Sequence, residues 1–177
     1  MVPHQLLYCC AYSDASIMSG MDTKVEPNDY QAMEDFHLKW RWTDATWNFL
    51  PHLDLAQIQP LLPSKAKELN EYSITLLAGE KLNTEMFPNT SEIIDRDDES
   101  AEPVRNWLGE RGVASETAII VSWDSGTAAV TNWGIFCKYW DDFCYALADD
   151  VVIWPKDRSW TLFYFHEEVI SFGHRAE

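Results

Sequence analysis

Between residues 117 and 172 the chain carries short strand signals separated by only two to five residues, apart from one helical insertion. Gaps of that length cannot hold the crossover that a parallel pair requires, so consecutive strands must lie antiparallel. Residues 117–123 form a β-branched run, Asp124-Ser125-Gly126-Thr127 has turn chemistry, and residues 128–131 return as a second strand. Residues 143–147, 151–154, 160–165 and 169–172 continue the pattern. In the insertion, Trp133, Phe136, Cys137 and Trp140 recur at i, i+3, i+4 and i+7, which predicts a helix capped by Thr131 or Asn132.

Upstream the signals are mostly helical. Ser64 suits an N-cap, Ala66, Leu69, Tyr72 and Leu76 follow at helical spacing, and Gly79 can end the element, giving a helix over 65–78. Pro103 fits a first helical position, with Val104, Trp107 and Leu108 as the apolar face and Gly112 beyond the end. Residues 80–102 between these helices form a polar connection with acidic residues Glu92, Asp95, Asp97, Asp98, Glu99 and Glu102. Tyr30, Phe36, Trp40, Trp42, Trp47 and Phe49 make an aromatic-rich segment, where Leu38-Lys39-Trp40-Arg41-Trp42 alternates like a short strand. Asp54 can cap a helical turn, and Pro60 and Pro63 punctuate the chain after it. Residues 1–28 have no sustained period and read as an extension, with Met18 and Met21 as alternative starts; residues 29–177 form one domain. The expected class is α+β: an antiparallel β-meander with about three helices packed on one face.

A further pattern runs through Thr131-Asn132-Trp133-Gly134-Ile135-Phe136 and Trp140-Asp141-Asp142-Phe143 to Asp149-Asp150. Two aromatic-rich strands ending at Gly173 complete it. It resembles a family of bacterial proteins catalogued as domain of unknown function 2947, whose pattern is W-G-x-F, W-x-x-F and an acidic pair. Phe36-His37-Leu38-Lys39-Trp40 and Ile58-Gln59-Pro60-Leu61 fit the same family more loosely, so the resemblance covers residues 30–175. It implies no activity and no catalytic residue.

Charge narrows the partners. Thirteen basic residues against 29 acidic ones give −16, a field that repels nucleic-acid phosphates and anionic membrane surfaces. Such a surface serves solubility by itself and also speeds encounter with a basic protein. No apolar run reaches the length of a membrane-spanning helix, and the stretch at 6–12 lacks the basic residues that precede a signal sequence. Cys9, Cys10, Cys137 and Cys144 lack C-x-x-C spacing and a histidine cluster, so they read as free thiols in a reducing, cytoplasmic setting.

Catalytic signals are sparse. Asp124-Ser125-Gly126-Thr127 imitates the aspartic-protease motif, although one such loop supplies one aspartate and a hairpin turn demands the same residues. The acidic cluster lacks the alternating spacing of a calcium loop. Adjacent carboxylates at Asp141-Asp142 and Asp149-Asp150 point apart, so each pair gives one group to any pocket. His37, His52, His166 and His174 are scattered, and no sequence motif names a metal or cofactor. Nine tryptophans exceed what a core of this size readily hides, which leaves some for a partner surface. The expected function is therefore a non-catalytic inhibitor or immunity-type protein that binds a basic protein. Its expected surface comprises Asp95, Asp97, Asp98, Glu99, Glu102, Trp107 and Trp154. The alternatives are a hydrolase using Asp124 and a structural or assembly protein.

Overall fold

The computed structural model describes residues 23–95 and 100–176. Its α+β fold is built on one seven-stranded sheet in the order β2-β5-β4-β6-β7-β8-β3, with every pair antiparallel. The strands are β2 (Gln59–Pro60), β3 (Thr90–Ile94), β4 (Ala118–Asp124), β5 (Thr127–Asn132), β6 (Val151–Pro155), β7 (Trp160–Phe165) and β8 (Val169–His174). A two-residue strand β1 (Asn48–Phe49) lies outside this sheet and bridges Asp44 and Thr43 in a small hairpin. The helices are α1 (Trp40–Thr43), α2 (His52–Leu55), α3 (Pro63–Thr75), α4 (Glu102–Gly109), α5 (Trp133–Lys138) and α6 (Trp140–Phe143).

Side chains alternate across the sheet because successive residues of a strand point to opposite faces. Ile119, Val121, Val151, Ile153, Leu162 and Tyr164 enter the larger core, beneath α4, α5, α6 and the α1 hairpin. Ile120, Val152, Trp154, Phe163 and Phe165 enter a second core on the opposite face. That face is covered by α3 through Ala66, Leu69 and Tyr72. Most helices thus gather on one face, as the sequence leads one to expect, and α3 alone takes the other. The meander β6-β7-β8 forms as anticipated, with Arg158 and Glu168 in the left-handed region at its two turns. The Asn132 side chain caps α5 by accepting the Ile135 N–H.

Four sequence expectations need correction. The 38–42 segment is not a strand: α1 forms there, and Leu38, Arg41 and Trp42 share its buried side while Lys39 faces solvent. Residues 143–147 are not a strand either. The Phe143 carbonyl accepts from Arg41 Nη1 (3.2 Å) and Trp123 Nε1 (2.8 Å), and so is taken before any ladder can use it. The polar connection 80–102 contains β3, whose Ile93 packs on the larger core. Helix α3 starts at Pro63 with Leu62 as its cap, so Ser64 lies inside the first turn. Residues 1–22 lie outside the described set, but Thr23 already belongs to the fold: it is buried and its hydroxyl accepts from the Arg158 guanidinium.

Candidate functional site

The most featured surface gathers around α6 and the α1–β1 hairpin. Its foundation is a buried ion pair. Arg41 donates through Nη1 and Nη2 to both carboxylate oxygens of Asp149, at 2.6 and 3.0 Å, and its guanidinium lies 4.4 Å from the Tyr145 ring centroid. Asp149 Oδ2 also accepts the Tyr145 N–H. This forked arrangement fixes α1 against the loop after α6 and satisfies the carboxylate, without which burial of either charge would be costly. Trp40 stacks on Tyr145 at 5.5 Å between ring centroids, and Trp47 meets Trp40 edge-on at 5.0 Å.

From this base the α1–β1 hairpin presents its residues to two sides. Asn48 Nδ2 donates to Asp142 Oδ2 at 2.6 Å, whereas Trp47 is 63% and Phe49 69% exposed. Leu53 of α2, four residues after Phe49, is 79% exposed as well. Beside it lies a cleft of about 400 Å³ lined by Asn48, Arg105, Lys138, Tyr139, Asp141 and Asp142. Burial pushes the Asp142 carboxyl up to about 6, against the opposing pull of the Asn48 hydrogen bond.

The cations of this cleft are already engaged. Lys138 Nζ donates to Asp54 Oδ2 at 2.7 Å, Tyr139 donates to the same oxygen at 2.5 Å, and together they hold the Asp54 carboxyl below its ordinary range. Arg105 pairs with Glu102 one turn away on α4 and reaches Asp141 only at 3.9 Å. Four carboxylates, Asp54, Glu102, Asp141 and Asp142, thus surround two cations, and Asp141 and Asp142 carry the surplus. The cleft offers a place for a positive group flanked by aromatic surface.

The residues expected from sequence are dispersed. Trp154 is fully buried beneath α3, its ring 5.4 Å from Tyr72, so it belongs to a core and not to a binding surface. Trp107 is half-buried, covered by the Arg111 guanidinium at 4.2 Å. Asp95 closes β3, where its N–H donates to the Glu168 carbonyl; Glu102 opens α4 and touches the cleft through Arg105. Asp97, Asp98 and Glu99 lie outside the described residues. Asp124 is exposed at the β4–β5 turn, and its Oδ1 accepts the Gly126 N–H at 2.6 Å, the work of a turn residue. The adjacent carboxylates behave in two ways. Asp149 and Asp150 do point apart, one to Arg41 and the other to His166, whereas Asp141 and Asp142 line the same cleft from the single turn of α6.

Sequence reasoning therefore missed Trp47, Asn48 and the two α6 aspartates as one site. The Asp142-Phe143 step in the aromatic motif was a usable signal, but its partner Asn48 is 94 residues away. No family model matches this chain, and no curated protein or solved structure matches it.

Proposed function

We propose that this chain is a non-catalytic binding protein of the inhibitor or immunity type, which docks a basic protein partner on the Trp47–Asp142 surface. The carrying observation is Trp47. Of nine tryptophans six are buried and two half-buried, yet Trp47 is held out on a hairpin beside a cleft with surplus negative charge. An aromatic anchor flanked by carboxylates is the composition of an interface hot spot for a Lys or Arg of a partner. The net charge of −16 adds long-range attraction toward a basic protein. The cytoplasm is the setting that goes with this reading, since Cys137 and Cys144 are free thiols in it. The resemblance to domain of unknown function 2947 remains part of the same proposal.

The test is capture from native lysate by the full chain, repeated with Trp47→Ala and Asp141→Lys. A stoichiometric basic partner should bind wild type, leave at high salt, and lose roughly 30-fold in affinity to Trp47→Ala. A partner that binds both variants as well as wild type would refute this surface. A second reading, a hydrolase with a pocket aspartate, is favoured by the Asp142 carboxyl, which titrates near the range useful for acid–base work.

A further inference from the structure

β3 forms one border of the sheet, bonded to β8 on its inner side and followed by no further strand among the described residues. Its hydrogen-bond phase can be read from its end. The Asp95 N–H donates to the Glu168 carbonyl, and the register pairs Ser91 with Phe172 and Ile93 with Ile170. In an antiparallel pair alternate residues make the bonds. Ser91, Ile93 and Asp95 therefore turn their backbone groups to β8, and Thr90, Glu92 and Ile94 turn theirs outward. Edges of this kind are templates for strand addition.

The side chains give the edge a chemical bias. Ile93 enters the larger core, so Glu92 and Ile94 stand on the opposite face. There they border a groove of about 220 Å³ floored by Phe165 and Val169 and rimmed by Glu80, Lys81 and Glu167. Ile94 is 47% exposed. Three carboxylates against one ammonium, with Glu92 Oε1 accepting only the Ser171 hydroxyl at 3.1 Å among the described residues and an exposed isoleucine beside it, complement a strand that carries a basic and an apolar side chain two positions apart on one face. A second copy of this chain is a poor occupant. Antiparallel pairing of two β3 strands about Glu92 sets Glu92 directly opposite itself, and like charges in that position are destabilising. Each copy also carries −16.

We propose that β3 accepts an extended segment of a partner protein as an eighth strand, with a Lys or Arg beside Glu92 and an apolar residue beside Ile94. This site is separate from the Trp47–Asp142 surface and stands or falls independently of it. The experiment titrates a short capped peptide, in which Lys and Val stand two positions apart with Thr between them, into the full chain while backbone amide exchange is followed by NMR. The amides of Glu92 and Ile94 should gain protection, whereas those of Ser91 and Ile93, already bonded to β8, should change little. Ile94→Pro removes one outward N–H without touching a β8 bond, and should abolish the effect in a chain whose other amide signals are unchanged. Glu92→Lys should weaken binding on the order of tenfold, and Trp47→Ala should leave it intact. Unaltered exchange at Glu92 and Ile94 under saturating peptide would overturn the proposal, as would equal binding of the same peptide with Glu in place of Lys. Concentration-dependent self-association through β3 would overturn it in favour of a second copy.

Discussion

The two faces of the sheet are closed by different means. On one, the 13-residue helix α3 lays Ala66, Leu69 and Tyr72, with Leu76 at its C-cap, over Ile120, Val152, Trp154 and Phe163, an apolar contact made by one continuous element. On the other, four short helices and a hairpin cover the larger core, and no helix there exceeds eight residues. Helices so short gain little from propagation, so side-chain interactions must hold them. Arg41–Asp149 and Asn48–Asp142 do this from the middle of the layer. A regular helix suffices to seal a face, whereas an irregular cover needs buried polar fasteners. The candidate site lies on the irregular side, where such fasteners already gather carboxylates and aromatic rings.

The comparison breaks first at Arg41. Arg41→Ala strands Asp149 as a buried, uncompensated charge and should cost about 3–5 kcal/mol in urea unfolding. Adding Asp149→Asn should restore part of that loss; additive costs in the double-mutant cycle would mean the pair is no fastener. On the regular face the matching lesion is Leu69→Ala. It should cost about 2–5 kcal/mol as a cavity under α3, and leave the fluorescence of the edge-on Trp40–Trp47 pair unaltered.

The smallest effect sharpens the contrast by its sign. Because burial raises the Asp142 carboxyl to about 6, the folded state binds its proton more tightly than the unfolded chain does. The contribution of this group to stability is therefore largest below pH 4 and is lost as pH rises toward 6. Asp44 and Asp54 are shifted down and act in the opposite direction, so the readout is a difference between proteins. Asp142→Asn should gain urea resistance relative to wild type as pH goes from 4 to 7; a gap that does not change with pH would show that the carboxyl is not desolvated.

What was legible follows the same division. The α3 helix and the strands β4 to β8 were read from local signals: β-branched runs, turn residues at Asp124-Ser125-Gly126, and Trp133, Phe136 and Cys137 at helical spacing in α5; the single helix expected through Trp140 instead breaks at Tyr139, and Trp140 opens α6. Trp154 was misjudged because composition counts tryptophans without saying which stand under α3. β3 was overlooked because Glu92 was read with the acidic residues around it, and Thr90-Ser91-Glu92-Ile93-Ile94 lacks the alternation of a half-buried strand, leaving only the β-branched Thr90, Ile93 and Ile94 as a signal.

By itself, then, the sequence settled the α+β class, the antiparallel sense of the strands in its second half and the strong negative charge, but not that β6 pairs with β4 instead of β5. Each depends on residues a few positions apart or on a simple sum. Tertiary structure alone decided that residues 40–43 form the helix α1, that 143–147 stay out of the sheet and that Asp142 meets Asn48. The Arg41–Asp149 pair joins residues 108 positions apart and the Asn48–Asp142 bond spans 94. Burial sets the local conformation there, because a charged or polar group removed from water must find its partner wherever the chain has carried it.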